Sequence, residues 1–585
     1  MYSNTDVLVK TPKSSDKGTI HILTTGYVLL ATEYHWDSEK RRPVDKRISI
    51  GKIVDGDRSH MHPNKNYEQF FGPTDSEVNR LKDTFGTKAR KAAGKTDSKL
   101  SFGPYLVLKA AAEQSGCYTA LTRVYPEYER KIIALAVYSI VAESSTAQLF
   151  PGWCFDHYCG LDRVIDDSEV SGLYRLIGSD EGNINVFFRI FREEYEKRFP
   201  RKDSNRVIAF DSTNQNTQSE NEDLAEFGKS KTDFGLKIIN TAMFVDEETG
   251  IPMWYEHYDG SLLDKVQTSF SLKKIVDAGY QKLFAMFDRG YFSEDIIKAL
   301  RKVKDLEYGV LCPDNVNWVD ALIKDHGAEI RGKQKYLTTE PNVFGKRYPV
   351  TVAGKACFAY LFFDHSREFD EEQSIRSTIS YYFNEASKRK RYTEKMAQDY
   401  APKGIIVVKK ADPETGKNFT ILEDTEMIQT MVDRAGFFVL VSDTEMTASE
   451  AIRIIRRRDV VEHVFESIKR HFDLSVTYTH SIETYRGKMF TAFIASILFA
   501  TLTWDLREVL HDKTSATIAF EMMELNKYKV ELQSDGSWYP SYAMSRIQKE
   551  LVSKVGLTED EAINQATEIK LLAGVSTFQH ENAEF

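Results

Sequence analysis

Two apolar runs that each end in aspartate, RVIAFD (206–211) and KLFAMFD (282–288), constrain this chain more than anything else in its sequence. Short, unbroken runs of branched and aromatic residues read as strands buried on both faces. Between them, LKIINTAMFVD (236–246), a Glu-Thr-Gly turn and IPMWYEHYDG (251–260) read as the second and third strands of an antiparallel meander. LLDKVQTSFSLKKIVDAG (262–279) follows as an amphipathic helix closed by Gly279. Beyond the second aspartate, Ser293 caps a short helix and EYGVLC (307–312) supplies a fifth strand.

Three strands, a helix, a strand, a helix and a strand is the order of an RNase H-like core. Such a core is an α/β domain with a mixed five-stranded sheet and flanking helices. Its first strand and the strand after the helix lie side by side, so Asp211 and Asp288 are expected to project from one end of the sheet. Residues 1–100 read as a β-rich N-terminal module, 101–200 as a helical segment and 201–312 as the first part of the core. Residues 313–435 read as a β-rich insertion, with strands in KRYPVTVAG and KACFAYLFFD and a basic helix, ASKRKRYTEKMAQDY (386–400). Residues 436–515 return to the core through GFFVLVSD, and 516–585 form a helical tail.

In the second part of the core, Thr447 and Glu450 make a capping-box pattern before ASEAIRIIRRRDVVEHVFESIKRHF (448–472). One continuous helix is expected there. Arg458, Glu462, Glu466 and Lys469 then share a face, at offsets of four, four and three.

Composition sets bounds on function. A hydrophobic fraction of 42% fits a folded protein. The net charge of -9 argues mildly against nucleic acid, but local basic clusters decide that question. Three exist, Lys40–Arg42, Lys388–Arg391 and Arg453–Arg458, and each alone is as consistent with a solvated surface. The five cysteines include Cys154 and Cys159 with no second pair downstream, which favours reduced thiols over zinc or a disulfide framework. The N-terminus has no apolar signal core. The longest apolar stretch, Met489–Trp504, is shorter than the roughly 20 residues a spanning helix needs. It reads as a buried core helix, and a cytoplasmic protein without membrane contact is expected.

Asp211, Asp288 and Glu462 are the candidate catalytic and metal-holding residues. Magnesium favours carboxylate oxygens, and paired ions can both activate water and neutralise a phosphodiester transition state. Aspartate at a strand end is common, however, and a glutamate on a basic helix is often only an ion-pair partner. Spacing alone leaves both readings open.

The segments FDSTNQNTQSE, ETGIP, YDGSLLD and FDRGYFSEDII resemble the core of bacterial insertion-sequence transposases of the DDE type. That family carries D-S-T, T-G-(I/L)-P, P-G-N-x-x-D and D-R-G-(F/Y)-x-S motifs. Its most similar branch holds the last acid in Y-x2-R-x3-E-x6-K, the spacing of Arg458, Glu462 and Lys469 here, and also has a β-rich insertion before that acid. Ile455 stands at the tyrosine position, and Asp259 and Ser261 replace the proline and asparagine around Gly260. The resemblance spans about residues 104–504.

It implies a DNA transposase that cuts insertion-sequence ends with two Mg²⁺ ions, Mn²⁺ suiting the same ligands. The freed 3′-OH then attacks target DNA. Double-stranded DNA (terminal inverted repeats and target) is the implied partner, and a homodimer on two paired ends the implied assembly. Arg458 and Lys469 would contact phosphates. Lys388, Arg389, Lys390 and Arg391 in the insertion are further phosphate contacts, with a solvated helix as the alternative. Arg289 either orients the site or forms an ion pair. Asp264 is a helix-start residue, and Glu466 a weaker rival to Glu462. Two other readings remain: an inactive, transposase-derived DNA-binding protein, kept open by Ile455, and an RNase H-like nuclease acting in repair or on RNA hybrids.

Overall fold

The computed structural model describes residues 8–14, 18–37, 42–54, 57–71, 99–200, 206–217, 223–228, 235–262, 264–277, 279–280, 282–413, 415–472, 474–511 and 518–571. They fall into two compact units, one with its described residues in 8–71 and one with them in 99–571. Lys40 and Arg41 of the first basic cluster, and the polar stretch 72–98, lie outside the described residues.

The first unit is β-rich. Strands β1 (Val9–Lys10), β2 (Thr19–Ile22), β3 (Tyr27–Asp37), β4 (Arg42–Val54) and β5 (Asp57–Pro63) form an antiparallel sheet in the order β1-β5-β4-β3-β2. Val9, Val28, Leu30, Ile50 and Met61 make its core, covered by Tyr67, Phe70 and Phe71 of helix Lys65–Phe71.

The second unit begins with β6 (Lys99–Ser101) and a series of helices, among them Gly103–Gln114, Cys117–Val124, Glu129–Val141, Asp167–Gly178 and Glu181–Arg198. Its main sheet is then built from β7 (Arg206–Thr217), β8 (Lys237–Asp246), β9 (Pro252–Asp259), β10 (Leu283–Phe287) and β11 (Leu306–Leu311). Strands β7, β8 and β9 form the antiparallel meander, and β10 pairs parallel to both β7 and β11. A buried ion pair between Arg206 and Asp246 ties the start of β7 to the end of β8. Asp246 also accepts hydrogen bonds from the N–H groups of Glu248 and Thr249 in the Glu-Thr-Gly turn, so its charge is well satisfied.

The sheet is larger than the five strands expected. Strands β12 (Val343–Val352) and β13 (Lys355–Asp364) join it through β16 (Phe437–Ser442), giving the order β12-β13-β16-β11-β10-β7-β8-β9, with β17 (Val476–Thr477) added on β7. Their composition explains this: Tyr360, Leu361, Phe362 and Phe363 run consecutively and are all fully buried, so β13 is apolar on both faces and needs a central place. The rest of the expected β-rich insertion is mainly helical. Helices His365–Ser387, Glu394–Tyr400 and Thr425–Arg434 enclose a hairpin of β14 (Ile405–Val408) and β15 (Thr420–Glu423). This part has its own core around Ile379, Met396, Tyr400, Ile405 and Phe419. The tail is not purely helical either. Strands β18 (Lys529–Leu532) and β19 (Trp538–Pro540) form a small sheet with β6, in which β18 pairs with both, and Trp538 is fully buried, its Nε1 donating to the Leu571 carbonyl.

Helix Ile482–His511 contains the long apolar stretch and is the central helix of the core, against helices Asp167–Gly178, Glu129–Val141 and Gly103–Gln114. Phe490, Ile494, Ile497, Leu498 and Leu502 are fully buried. All five cysteines are buried free thiols; Cys154 and Cys159 lie 3.7 Å apart, Sγ to Sγ.

Where this helix meets β9, His257 stacks obliquely on Tyr485, its Nδ1 lies 2.9 Å from Thr241 Oγ1, and its Nε2 is buried with no protein partner. Burial, reinforced by the Arg486 charge, pushes its pKa from 6.5 down to about 3. The unfolded chain therefore takes up a proton near pH 6.5 that the folded chain refuses until about pH 3. Stability from this residue is full above pH 6.5 and is lost as pH falls through that window, at up to about 1.4 kcal/mol per pH unit. His257→Gln is expected to flatten the decline of the thermal midpoint between pH 6.5 and 4; an unchanged slope would show that the acid sensitivity lies elsewhere.

Candidate active site

Asp211 and Asp288 are brought to the same height by register. Ala209 pairs with Met286 in the parallel β7–β10 ladder, and each aspartate lies two residues further along its own chain. Neighbouring strands are about 4.8 Å apart, so the two residues stand at matching backbone positions on adjacent strands. Asp288 directly follows the last residue of β10, but Asp211 is not the end of its strand. β7 runs on to Thr217, paired with β8 throughout. The polar run STNQNT disguised this continuation. These residues are nonetheless buried and bonded: Gln215 Oε1, for example, accepts from Tyr485 Oη at 2.9 Å and Thr241 Oγ1 at 3.2 Å.

Glu462 comes from the other side. The single helix expected over 448–472 is divided into Ala448–Arg457, Val460–Glu466 and a π-helical turn, Ser467–His471. Its capping box is present: Thr447 Oγ1 accepts from Glu450 N–H, and the Glu450 carboxylate accepts from Thr447 N–H. At the division, Arg458 N–H donates to the Ile455 carbonyl and Val461 N–H to the Arg458 carbonyl, a turn tightened to three-residue spacing. No glycine or proline announces the break. Helix Val460–Glu466 packs on β7, the strand of Asp211.

Arg458 joins the acids. Its Nη1 lies 2.6 Å from Asp288 Oδ1, and its Nη2 lies 3.1 Å from Glu462 Oε1 and 3.3 Å from Asp459 Oδ1. Burial alone would lower the Arg458 pKa, but Asp288 and Glu462 hold it above its ordinary value. The Asp288 and Glu462 side chains remain about half exposed, at 46% and 55%, so they face open solvent. Asp211 accepts a 3.3 Å hydrogen bond from Tyr291 Oη, which also lies 2.8 Å from Ser212 Oγ. The sequence pattern alone points to neither Tyr291 nor Asp459. Tyr291 sits in the DRGY motif, and Asp459 stands inside the spacing between Arg458 and Glu462.

The donor set suits a hard divalent cation: carboxylate oxygens from three elements, two of them already within hydrogen-bonding distance of one cationic group. Among the described residues, no group of three or more His, Cys, Asp or Glu is arranged closely enough to hold a metal ion as it stands. Asp288 and Glu462 are gathered around Arg458, and Asp211 is one strand away.

The remaining expected contacts divide. Lys469 lies half-buried in the π-helical turn. Arg289 forms an ion pair with Asp314 at 3.2 Å, the plainer of its two expected roles. Lys388 pairs with Glu385 at 2.5 Å. The basic run does not lie within a helix: helix His365–Ser387 ends before Lys388, and exposed Arg389, Lys390 and Arg391 form the link to helix Glu394–Tyr400. Here the three basic residues line a cavity of about 650 Å³ with Tyr381, Tyr382 and Lys403. Ile455, at the tyrosine position, packs against the core around Phe438, Leu440 and Ile452. Asp264 is the first residue of helix Asp264–Asp277, as expected. Glu466 is the last residue of helix Val460–Glu466 and is exposed.

Residues 202–498 match the transposase DDE domain, a stretch that contains all three acids and just over half of the 585 residues. The chain belongs to the DDE transposase family, a class of enzymes that act on DNA with divalent metal ions. Among solved structures it is similar to the cryo-EM structure of a piggyBac transposase synaptic complex with hairpin DNA, at 9% identity and a TM-score of 0.32, over 80% of this chain and 83% of that one. No curated protein sequence matches it significantly.

Proposed function

We propose that this chain is a cut-and-paste transposase of the bacterial insertion-sequence type, with an RNase H-like core in which Asp211, Asp288 and Glu462 hold the catalytic metal. The observation that carries this reading is Arg458 bonded at once to Asp288 and Glu462. A strand end and a helix from opposite halves of the sequence are thereby joined beside the Asp211 strand. The substrate is double-stranded DNA: the element's terminal inverted repeats, then a target duplex. Bound Mg²⁺, two ions in this reading or Mn²⁺ in their place, would lower the pKa of the attacking water or 3′-OH and neutralise charge at the phosphate. Arg458 and Lys469 orient the scissile strand through its phosphates, and Arg389, Lys390 and Arg391 grip the backbone from their exposed link. Two copies act on two paired ends, in the cytoplasm.

Strand cleavage of a duplex bearing the element's terminal repeat is the test. Nicking at the repeat end is expected with Mg²⁺ or Mn²⁺ and none with EDTA, while end binding, read by gel shift, survives EDTA. Binding without cutting in any divalent metal would make the chain an end-binding derivative. Preferential cutting of RNA–DNA hybrids would make it a nuclease of another kind.

A further inference from the structure

The cation between Asp288 and Glu462 is the protein's own. Arg458 uses both terminal nitrogens on carboxylates of the triad, with Asp459 as a third neighbour. A divalent ion held by Asp288 and Glu462 would compete with the guanidinium for these carboxylates and repel its charge. Three carboxylates around one guanidinium leave a net negative cluster, so cations are still attracted while the converging oxygens are taken. Arg458 is itself incompletely satisfied: its side chain is 16% exposed, and its Nε is buried without a hydrogen-bond partner. A phosphate offers the paired oxygens that a guanidinium fork accepts best. Arg458 also sits in the tightened turn between helices Ala448–Arg457 and Val460–Glu466, where a backbone change moves the side chain without unwinding either helix.

We propose that Arg458 is a built-in counter-ion that closes the Asp288–Glu462 pair in the DNA-free protein, and that DNA phosphate draws it off to admit divalent metal. The proposal rests on the triad being the metal site. Metal and DNA then strengthen each other's binding by the same factor, because both favour the state in which Arg458 has left the carboxylates.

The experiment is a titration of full-length protein with Mn²⁺, free ion being counted by electron paramagnetic resonance, with and without a duplex oligonucleotide. Wild-type protein is expected to bind Mn²⁺ about 5-fold or more tightly when the duplex is present, within the usual range of coupling. Arg458→Gln is expected to bind Mn²⁺ more tightly than wild type without DNA and to lose most of the gain on adding it. Arg458→Lys, which can pair with only one carboxylate at a time, is expected to fall between. If both variants bind Mn²⁺ no more tightly than wild type, and far-ultraviolet circular dichroism shows them folded, the counter-ion role is wrong. Asp288→Asn and Glu462→Gln separate that failure from failure of the site. If they bind Mn²⁺ like wild type when the duplex is present, the triad is not the metal site; if they lose it there while Arg458→Gln matches wild type without DNA, only the counter-ion role falls.

Discussion

Asp288→Asn is expected to reduce cleavage at a DNA end by about 10³-fold or more while leaving end binding within a few-fold of wild type. The expectation follows from what the substitution does and does not disturb. Asparagine keeps the shape of the side chain, and the residue stands just beyond β10 with its side chain 46% exposed, so little packing is at stake. The lost ion pair with Arg458 lies at a partly open surface, where such pairs are worth about 1 kcal/mol or less. What is removed is the negative charge that holds a divalent cation, and such catalysis depends heavily on stabilising charge at the transferring phosphoryl group. Asp211→Asn and Glu462→Gln are expected to behave alike, and double variants to lose little more than single ones, because the three act as a unit. Asp288→Cys adds a stringent check: a thiolate favours softer ions, so activity absent in Mg²⁺ is expected to recover in part with Mn²⁺. Cleavage by Asp288→Asn within 10-fold of wild type would remove this residue from the metal site.

Much of the core was legible because its strands are written in runs that allow one interpretation. RVIAF and LFAMF are apolar almost without interruption, and the Glu-Thr-Gly turn and the Ser293 cap mark where the chain reverses or restarts. What stayed hidden depended on contacts with distant segments. The extension of β7 through STNQNT reads as a polar loop, since hydrogen bonding to Thr241 and Tyr485 cannot be inferred from the segment itself. Strands β12 and β13 were visible as strands, but their membership of the main sheet depends on β16, more than seventy residues later. The break at Arg458 carries no glycine or proline, and the turn that makes it brings a side chain to Asp288 on another element. The same distinction holds for the site. Residue types and the family resemblance pointed to the three acids, whereas Arg458 as the bridge between Asp288 and Glu462 and Tyr291 as the partner of Asp211 depend on packing between distant segments.

Gly487→Val is expected to cost about 3 kcal/mol or more and to lower the thermal midpoint of the main unit sharply, although the residue contacts none of the three acids. Helices Asp167–Gly178 and Ile482–His511 meet backbone to backbone. A Cβ at Gly487 would lie 1.8 Å from the Tyr174 carbonyl oxygen, and one at Gly178 would lie 1.9 Å from the Glu483 carbonyl oxygen. The obstructing atoms are main chain, so no rotamer change makes room, and the helices must separate by roughly 1 Å or more to restore ordinary contact. Separation opens a gap along the interface, and its dispersion contacts are lost with it. The damage reaches the site because the same helix carries Tyr485, whose hydroxyl donates to Gln215 on β7, four residues beyond Asp211. Gly172→Ala is the internal control. Gly172 is on the same helix as Gly178, with nothing within 4 Å of an added Cβ. There alanine is expected to stabilise by about 0.5–1 kcal/mol through helix propensity and a less free unfolded chain. Comparison of the two melting curves isolates helix contact from the general effect of replacing glycine, and a Gly487→Val protein as stable as wild type would mean that the helices do not cross there.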